Sequence, residues 1–289
     1  TGSTDRTINV WDLDTLTRRE ELIGHGSTIR SLVSHGPWVM SGSRDGVIKV
    51  WDWASGRLVH NLTGHTGSVR CLSVVELNSQ VFILSGSYDE TAIIWSLDSG
   101  RLLHRLEGHS GRIYTLSVYR NFMFTAGMDH RVKKWDILTG RLVDDIYTPQ
   151  ALIGVMTVSE CGTVVTGSTD GKVCAFSAMT GEHYYTIQIE PGYGASHNNG
   201  QQASGNITSV SCNRDFLLVT SDSSAFVFDL RDGSKINCLL DHQGMIWKGA
   251  VTHGNAVLAH QQDDCTRIEC IDFRPSLGDP GSTRVQCTF

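Results

Sequence analysis

The sequence predicts an all-β fold built from a repeated four-stranded antiparallel sheet, and three observations carry that reading. The first is a unit running from Gly24 to Asp52. It opens on Gly-His, passes an apolar run (Ile29, Leu32, Val33), then Trp38, Val39 and Met40, a tight turn from Ser43 to Gly46, and an alternating run ending in Trp51-Asp52. Strand alternation broken by turn residues, with no helical period, marks consecutive strands. The second is recurrence. The closing position falls at Trp11, Trp51, Trp95, Trp135, Phe176, Phe228 and Ile271, at intervals of 40, 44, 40, 41, 52 and 43 residues. The third is a register of polar residues. An aspartate stands six residues before each of the first five closing aromatics (Asp5, Asp45, Asp89, Asp129, Asp170), and a hydroxyl four residues before each aspartate (Thr1, Ser41, Ser85, Thr125, Thr166).

A Gly-His…Trp-Asp unit of this period resembles the WD40 repeat, which implies a β-propeller whose blades are four-stranded sheets packed face to face. The resemblance implies that His25, Ser41, Asp45 and Trp51 form one hydrogen-bonded tetrad. His65, Ser85, Asp89 and Trp95 form a second, and His109, Thr125, Asp129 and Trp135 a third. Ser, His and Asp together also look like a hydrolase triad. A set recurring in three successive units reads as architecture, because a catalytic site would occur once.

Thr1 to Asp5 match the turn region of a unit. The first residue therefore falls in a second strand, and an incomplete first blade, in a fragment of an eight-bladed ring, is expected. The alternative is that Thr283 to Phe289 supply the missing strand. Residues 6–147 are regular, each closure being followed by a turn and an outer strand (Thr17 to Ile23, Gly56 to Leu62, Gly100 to Leu106, Gly140 to Ile146). An insertion at Glu76 to Gln80 is expected in a surface turn. Residues 148–240 are degenerate: Thr148-Pro149-Gln150 stands where Gly-His is expected, and no Gly-His precedes Phe228. The polar, Gly-rich stretch 190–205 reads as a flexible loop; its His197, Asn198 and Asn199 have no metal-ligand spacing. The unit closed by Ile271 has lost the aspartate register, with Gln262, Asp263 and Asp264 in a longer turn. The propeller is thus expected over 1–273, with a C-terminal tail over 274–289.

The chain has 289 residues, 40% hydrophobic, with a net charge of −6 and mean hydropathy −0.14. That charge indicates neither a general nucleic-acid surface nor an anionic-membrane surface. No apolar run approaches the ~20 residues of a membrane span. The eight cysteines are scattered, which reads as reduced packing residues of a nuclear or cytoplasmic protein. No metal or other cofactor is expected.

Several residues exceed what a blade requires. Five residues after each Gly-His histidine sit Arg30, Arg70 and Tyr114. Just before the turn aspartates sit Arg44, Tyr88 and Met128, and just after the first sits Arg6. In blades of this type these positions share one rim, so four arginines are expected to converge there, flanked by Tyr88 and Tyr114. Guanidinium groups bind phosphate bidentately and stay charged. At TGSTDRTINVWD (1–12), GHGSTIRSLV…SGSRDGVIKVWD (24–52), GHTGSVRCL…SGSYD (64–89) and GHSGRIYTLSV (108–118) the chain resembles the propeller of F-box/WD-repeat substrate receptors of cullin-RING ubiquitin ligases. MIWKGAV…RIECIDF (245–273) resembles that family's last blade.

That resemblance implies phosphate-binding arginines at Arg30, Arg44 and Arg70, with support from Arg6, Ser27, Thr28, Tyr88 and Tyr114. It implies a phosphorylated Ser/Thr-Pro ligand and an adaptor docked through an F-box, which is not in this sequence. The expected function is a non-catalytic reader of phosphorylated degrons. The alternative is a generic scaffold that binds partners without phosphate. An enzyme finds no support beyond the triad look-alike.

Overall fold

The computed structural model describes residues 1–190, 205–241, 245–252, 255–262, 265–272 and 284–288. Every regular element among them is a strand. Two compact units divide the chain, Thr1–Tyr147 and Thr148–Phe289.

In the first unit, β1 (Thr7–Trp11) pairs with β2 (Arg18–Ile23). The second sheet runs β3 (Ile29–His35), β4 (Trp38–Ser43), β5 (Ile48–Asp52), β6 (Arg57–Leu62). The third runs β7 (Val69–Leu77), β8 (Gln80–Ser87), β9 (Ala92–Ser96), β10 (Leu102–Leu106), and the fourth β11 (Ile113–Tyr119), β12 (Phe122–Gly127), β13 (Arg131–Asp136), β14 (Leu142–Tyr147). The second unit holds β15 (Ile153–Val158), β16 (Thr163–Ser168), β17 (Lys172–Ser177), β18 (His183–Gln188). Next come β19 (Ile207–Cys212), β20 (Phe216–Ser221), β21 (Ser224–Asp229), β22 (Lys235–Asp241), and last β23 (Ile246–Val251), β24 (Asn255–Gln262), β25 (Cys265–Asp272), β26 (Arg284–Thr288). Each of the six complete sheets is an antiparallel meander in chain order, the architecture of a propeller blade.

The first sheet has two strands and a single bridge, Gly2↔Ile8, which repeats the Gly42↔Ile48 pairing of the second sheet. Two expectations are revised. The insertion at Glu76 to Gln80, expected in a surface turn, does hold the turn between β7 and β8, but only Asn78 and Ser79 form it, both at positive φ (52° and 62°), and the rest lengthens the hairpin strands. Two left-handed residues match the twist of a tight hairpin. Residues 284–288, read as tail, pair antiparallel with β25 as the fourth strand of their own sheet. The stretch 191–204 and the residues Asp263 and Asp264 lie outside the described residues.

Successive sheets of the first unit bury apolar faces against each other. Ile8 and Leu22 pack with Ile29 and Trp51; Met40, Val50 and Leu62 with Leu72, Ile83 and Trp95; Phe82 and Ile94 with Leu116, Met123 and Trp135. One recurring glycine sets how closely they approach. A Cβ at Gly2, Gly42 or Gly86 would stand 2.7, 2.6 and 2.7 Å from a γ-carbon of Ile29, Val69 or Ile113, the first residue of the next sheet's innermost strand. Gly167 stands so to Ile207 in the second unit. A bare backbone there lets a β-branched side chain lie flat on the neighbouring strand.

Gly86→Ala is expected to destabilise the protein by about 1–3 kcal/mol through overpacking, read as a lower urea midpoint. An unchanged midpoint would show that the sheets do not meet at this point.

Candidate functional site

The candidate rim is built on three polar tetrads whose indole, hydroxyl and imidazole are buried. In the second sheet the Trp51 indole N–H donates to Ser41 Oγ (2.9 Å). Ser41 Oγ lies 2.7 Å from His25 Nε2, and His25 Nδ1 lies 3.2 Å from Asp45 Oδ2. The third sheet repeats this with Trp95, Ser85, His65 and Asp89 at 2.9, 2.8 and 2.8 Å. The fourth repeats it with Trp135, Thr125, His109 and Asp129 at 2.8, 2.7 and 2.6 Å. The ionised aspartate can only accept, so Nδ1 of the neutral ring carries the proton and donates it to the carboxylate; Nε2 is then the acceptor for the hydroxyl proton, while the hydroxyl oxygen accepts the indole N–H. Ser41 is fully buried and its oxygen is engaged. The triad look-alike is therefore a structural clasp.

Each aspartate also reaches the loop that carries the histidine. Asp45 accepts the Gly26 N–H (2.8 Å) and the Val47 N–H (2.9 Å); Asp89 accepts from Thr66 (2.9 Å) and Asp129 from Ser110 (3.2 Å). Burial raises the Asp45 carboxyl, but the N–H donors of Val47 and Gly26 with the His25 imidazole outweigh it and hold the group below its ordinary value. For Asp89 and Asp129 burial again raises, and the hydrogen bond from the histidine leads the opposing donors to the same net result. His25 itself is lowered, because burial of the charged ring outweighs the pull of Asp45.

The second unit departs from this set in steps. At Gln150 the amide replaces imidazole: Thr166 Oγ1 donates to its Oε1 (2.7 Å), its Nε2 donates to the Lys172 carbonyl (2.9 Å), and Phe176 stands for the indole. In the next sheets the register puts Val219 with Phe228, and Leu258 with Ile271, at the hydroxyl and indole positions, all buried. Losing both partners together leaves no orphaned donor.

The clasps fix one end of the second, third and fourth sheets of the first unit, and most of the candidate residues sit there. The Arg44 N–H donates to the Thr28 carbonyl (2.9 Å), and Ser43 Oγ to the Ser27 carbonyl (3.1 Å), which sets Ser27, Thr28 and Arg44 side by side. Pairing slips by one residue between Ile29 and Ser31, making Arg30 the extra residue of a bulge; Arg70 and Tyr114 occupy the same bulge in β7 and β11. A bulge re-aims a side chain out of the strand's alternation, so arginine is not forced into the packed face. Arg30 and Arg44 are exposed and Arg70 is half-buried. Arg6 lies in the equivalent turn of the first sheet at φ 76°, where the other sheets hold Gly46, Glu90, His130 and Gly171, also at positive φ. Ile29 N–H donates to the Ser3 carbonyl (3.1 Å), tying that turn to the start of β3.

The Tyr88 and Tyr114 rings meet at 4.9 Å between centroids. Burial raises the Tyr88 phenol above its ordinary value, the Tyr114 hydroxyl adds to the rise, and the nearby Arg70 guanidinium opposes it. Sequence reasoning missed Arg112, whose guanidinium carbon lies 5.3 Å from the Tyr88 ring centroid. Its signal was positional: it takes, in its own sheet, the place of Thr28 and Ser68. Among the described residues, arginine ion pairs engage Arg18, Arg19, Arg131, Arg214 and Arg231, and none engages Arg6, Arg30, Arg44, Arg70 or Arg112.

Comparison with known proteins follows the same lines. The family described as WD domain, G-beta repeat matches residues 16–52, 56–96 and 100–136, the outer strand of one sheet followed by three strands of the next. The chain resembles the crystal structure of the computationally designed Ika8 protein (TM-score 0.79, 27% identity, 92% of this chain and 78% of that one). It also resembles the structure of U3-55K (TM-score 0.73, 20% identity, 89% and 83%), a likeness of fold. No curated protein sequence matches the chain. WD40 repeats and a β-propeller-like fold are thus established, and such repeats serve as protein–protein interaction scaffolds.

Asp45→Ala is expected to lower stability by about 1–3 kcal/mol, since it strips the His25 ring and two backbone donors of their acceptor; an unchanged melting temperature would refute the clasp. His25 is lowered in the fold, so its contribution is complete above the ordinary imidazole value of about 6.5 and declines as pH falls below it. The aspartates are lowered too, so theirs declines below the ordinary carboxyl value of about 3.9. Calorimetry should therefore show a melting temperature that drops from pH 7 to 5 and again below pH 4. A flat profile would contradict both shifts.

Proposed function

We propose that this rim binds a phosphorylated Ser/Thr-Pro peptide, and that the protein acts as a non-catalytic substrate receptor in ubiquitination by a cullin-RING ligase. The observation that carries the reading is the set Arg30, Arg44 and Arg70. These guanidiniums stand at the clasped end of the first unit, and none is neutralised by a carboxylate ion pair among the described residues. An acidic chain of net charge −6 that leaves them uncompensated keeps a local field suited to an anion. A phosphoryl group carries about −1.5 to −2 charge and three acceptor oxygens, which matches several planar donors. Tyr88 and Tyr114 add an aromatic wall beside Arg70, suited to the apolar residues of the peptide. The ubiquitin-ligase role follows from the sequence resemblance alone.

The second reading, a scaffold that binds partners without phosphate, rests on the WD40 repeats alone. Fluorescence anisotropy of a labelled apolar–phosphothreonine–proline peptide and its unphosphorylated twin separates the two. The phosphorylated peptide is expected to bind, to weaken as salt rises, and to lose at least about tenfold in affinity on Arg30→Ala, the equivalent of 1.4 kcal/mol. Equal binding of both peptides, or no response to Arg30→Ala, would support the scaffold.

A further inference from the structure

We propose that Arg112 is a positioning residue of this rim, acting through Tyr88: it caps one aromatic ring so that the Tyr88–Tyr114 wall stands ready beside Arg70 before any ligand arrives. The proposal rests on the phosphopeptide reading of the site. Three observations carry it. The Arg112 guanidinium carbon lies 5.3 Å from the Tyr88 ring centroid, within the range of a cation–π contact. The Tyr88 ring is in turn tilted against Tyr114, at 41° and 4.9 Å between centroids. Arg112 also belongs to no ion pair among the described residues, so its charge is not held elsewhere.

The backbone explains why Arg112 can do this and its counterparts cannot. Its carbonyl accepts the Met128 N–H (3.0 Å), as the Thr28 carbonyl accepts from Arg44 and the Ser68 carbonyl from Tyr88. The position is therefore anchored in each of these sheets, directly before the innermost strand. In the second and third sheets it carries the short side chains of Thr28 and Ser68. Only the longer arginine is observed over an aromatic ring, that of Tyr88 in the turn after β8 of the neighbouring sheet. Tyr88 is only half-buried, and without the Arg112 contact its ring would be freer to leave Tyr114. A wall fixed in advance spares the ligand the ordering of these side chains, which otherwise reduces affinity.

The test is a double-mutant cycle on the phosphothreonine–proline peptide with Arg112→Met, Tyr88→Ala and both together, plus Arg112→Lys. Arg112→Met is expected to weaken binding about three- to fivefold, with Arg112→Lys recovering part of it, since an ammonium can also sit over the ring. In the Tyr88→Ala background Arg112→Met should have no further effect. Multiplying effects would show that Arg112 acts independently of Tyr88 and would overturn the proposal. So would a shift in melting temperature with no change in affinity. A second arm needs no ligand: the protein is labelled with ring-13C tyrosine, the Tyr88 signal being assigned by its loss in Tyr88→Phe. Arg112→Met should move that signal and, more weakly, Tyr114's, while the other tyrosines stay. An unmoved Tyr88 signal refutes the cap whether or not the peptide binds. Absence of peptide binding with a moved signal refutes the phosphopeptide reading alone.

Discussion

The clasp from indole through hydroxyl and imidazole to carboxylate is the interaction on which the first unit depends. It joins the third strand of a sheet (Trp51) to the second (Ser41), then to the entry loop (His25) and the turn (Asp45). One network therefore fixes the depth of packing and the path of two exposed segments. Its indole, hydroxyl and imidazole are buried and only the carboxylate reaches the surface, so partial loss is costly: a buried donor left without its acceptor keeps the full penalty of desolvation. The second unit follows that rule. Gln150 keeps the acceptor and donor roles with a different side chain, while Val219 with Phe228 and Leu258 with Ile271 give up hydroxyl and indole together.

Rigidity at that end makes an anion-binding rim physically reasonable. Arg44 is attached to Thr28 through the backbone, Arg30 and Arg70 occupy bulges that free them from the strand's alternation, and the Tyr88 ring contacts both Tyr114 and Arg112. Side chains on ordered backbone lose less freedom on binding than the same residues on a mobile loop. Arg6 at positive φ shows that the turn geometry prevails over the residue's own preference, at an expense of order 1 kcal/mol that the surrounding hydrogen bonds hold in place.

The sequence by itself determined the repeat, the strand order within it and the three complete tetrads. The repeat and its strands are local consequences of spacing, since alternation requires strands and the Asp–x5–Trp interval fixes a hairpin; the tetrads are what the resemblance to WD40 repeats implied for the polar residues in that register. It also placed Arg30, Arg44 and Arg70 at one end of their sheets, since those positions are counted from the same landmarks. Tertiary structure alone decided what depends on neighbours. Gln150 could be recognised as the histidine's stand-in only once its amide met Thr166. Most of the insertion at Glu76 to Gln80 became strand because a two-residue turn of Asn78 and Ser79 let the hairpin extend, whereas the sequence put the whole of it in a surface turn. Residues 284–288 follow a Pro- and Gly-rich stretch, and their strand exists only because β25 offers an open edge. Arg112 gained meaning from a ring that lies 24 residues away in sequence and one sheet away in space. Spacing encodes contacts within a repeat; contacts between sheets depend on which side chains the packing brings face to face.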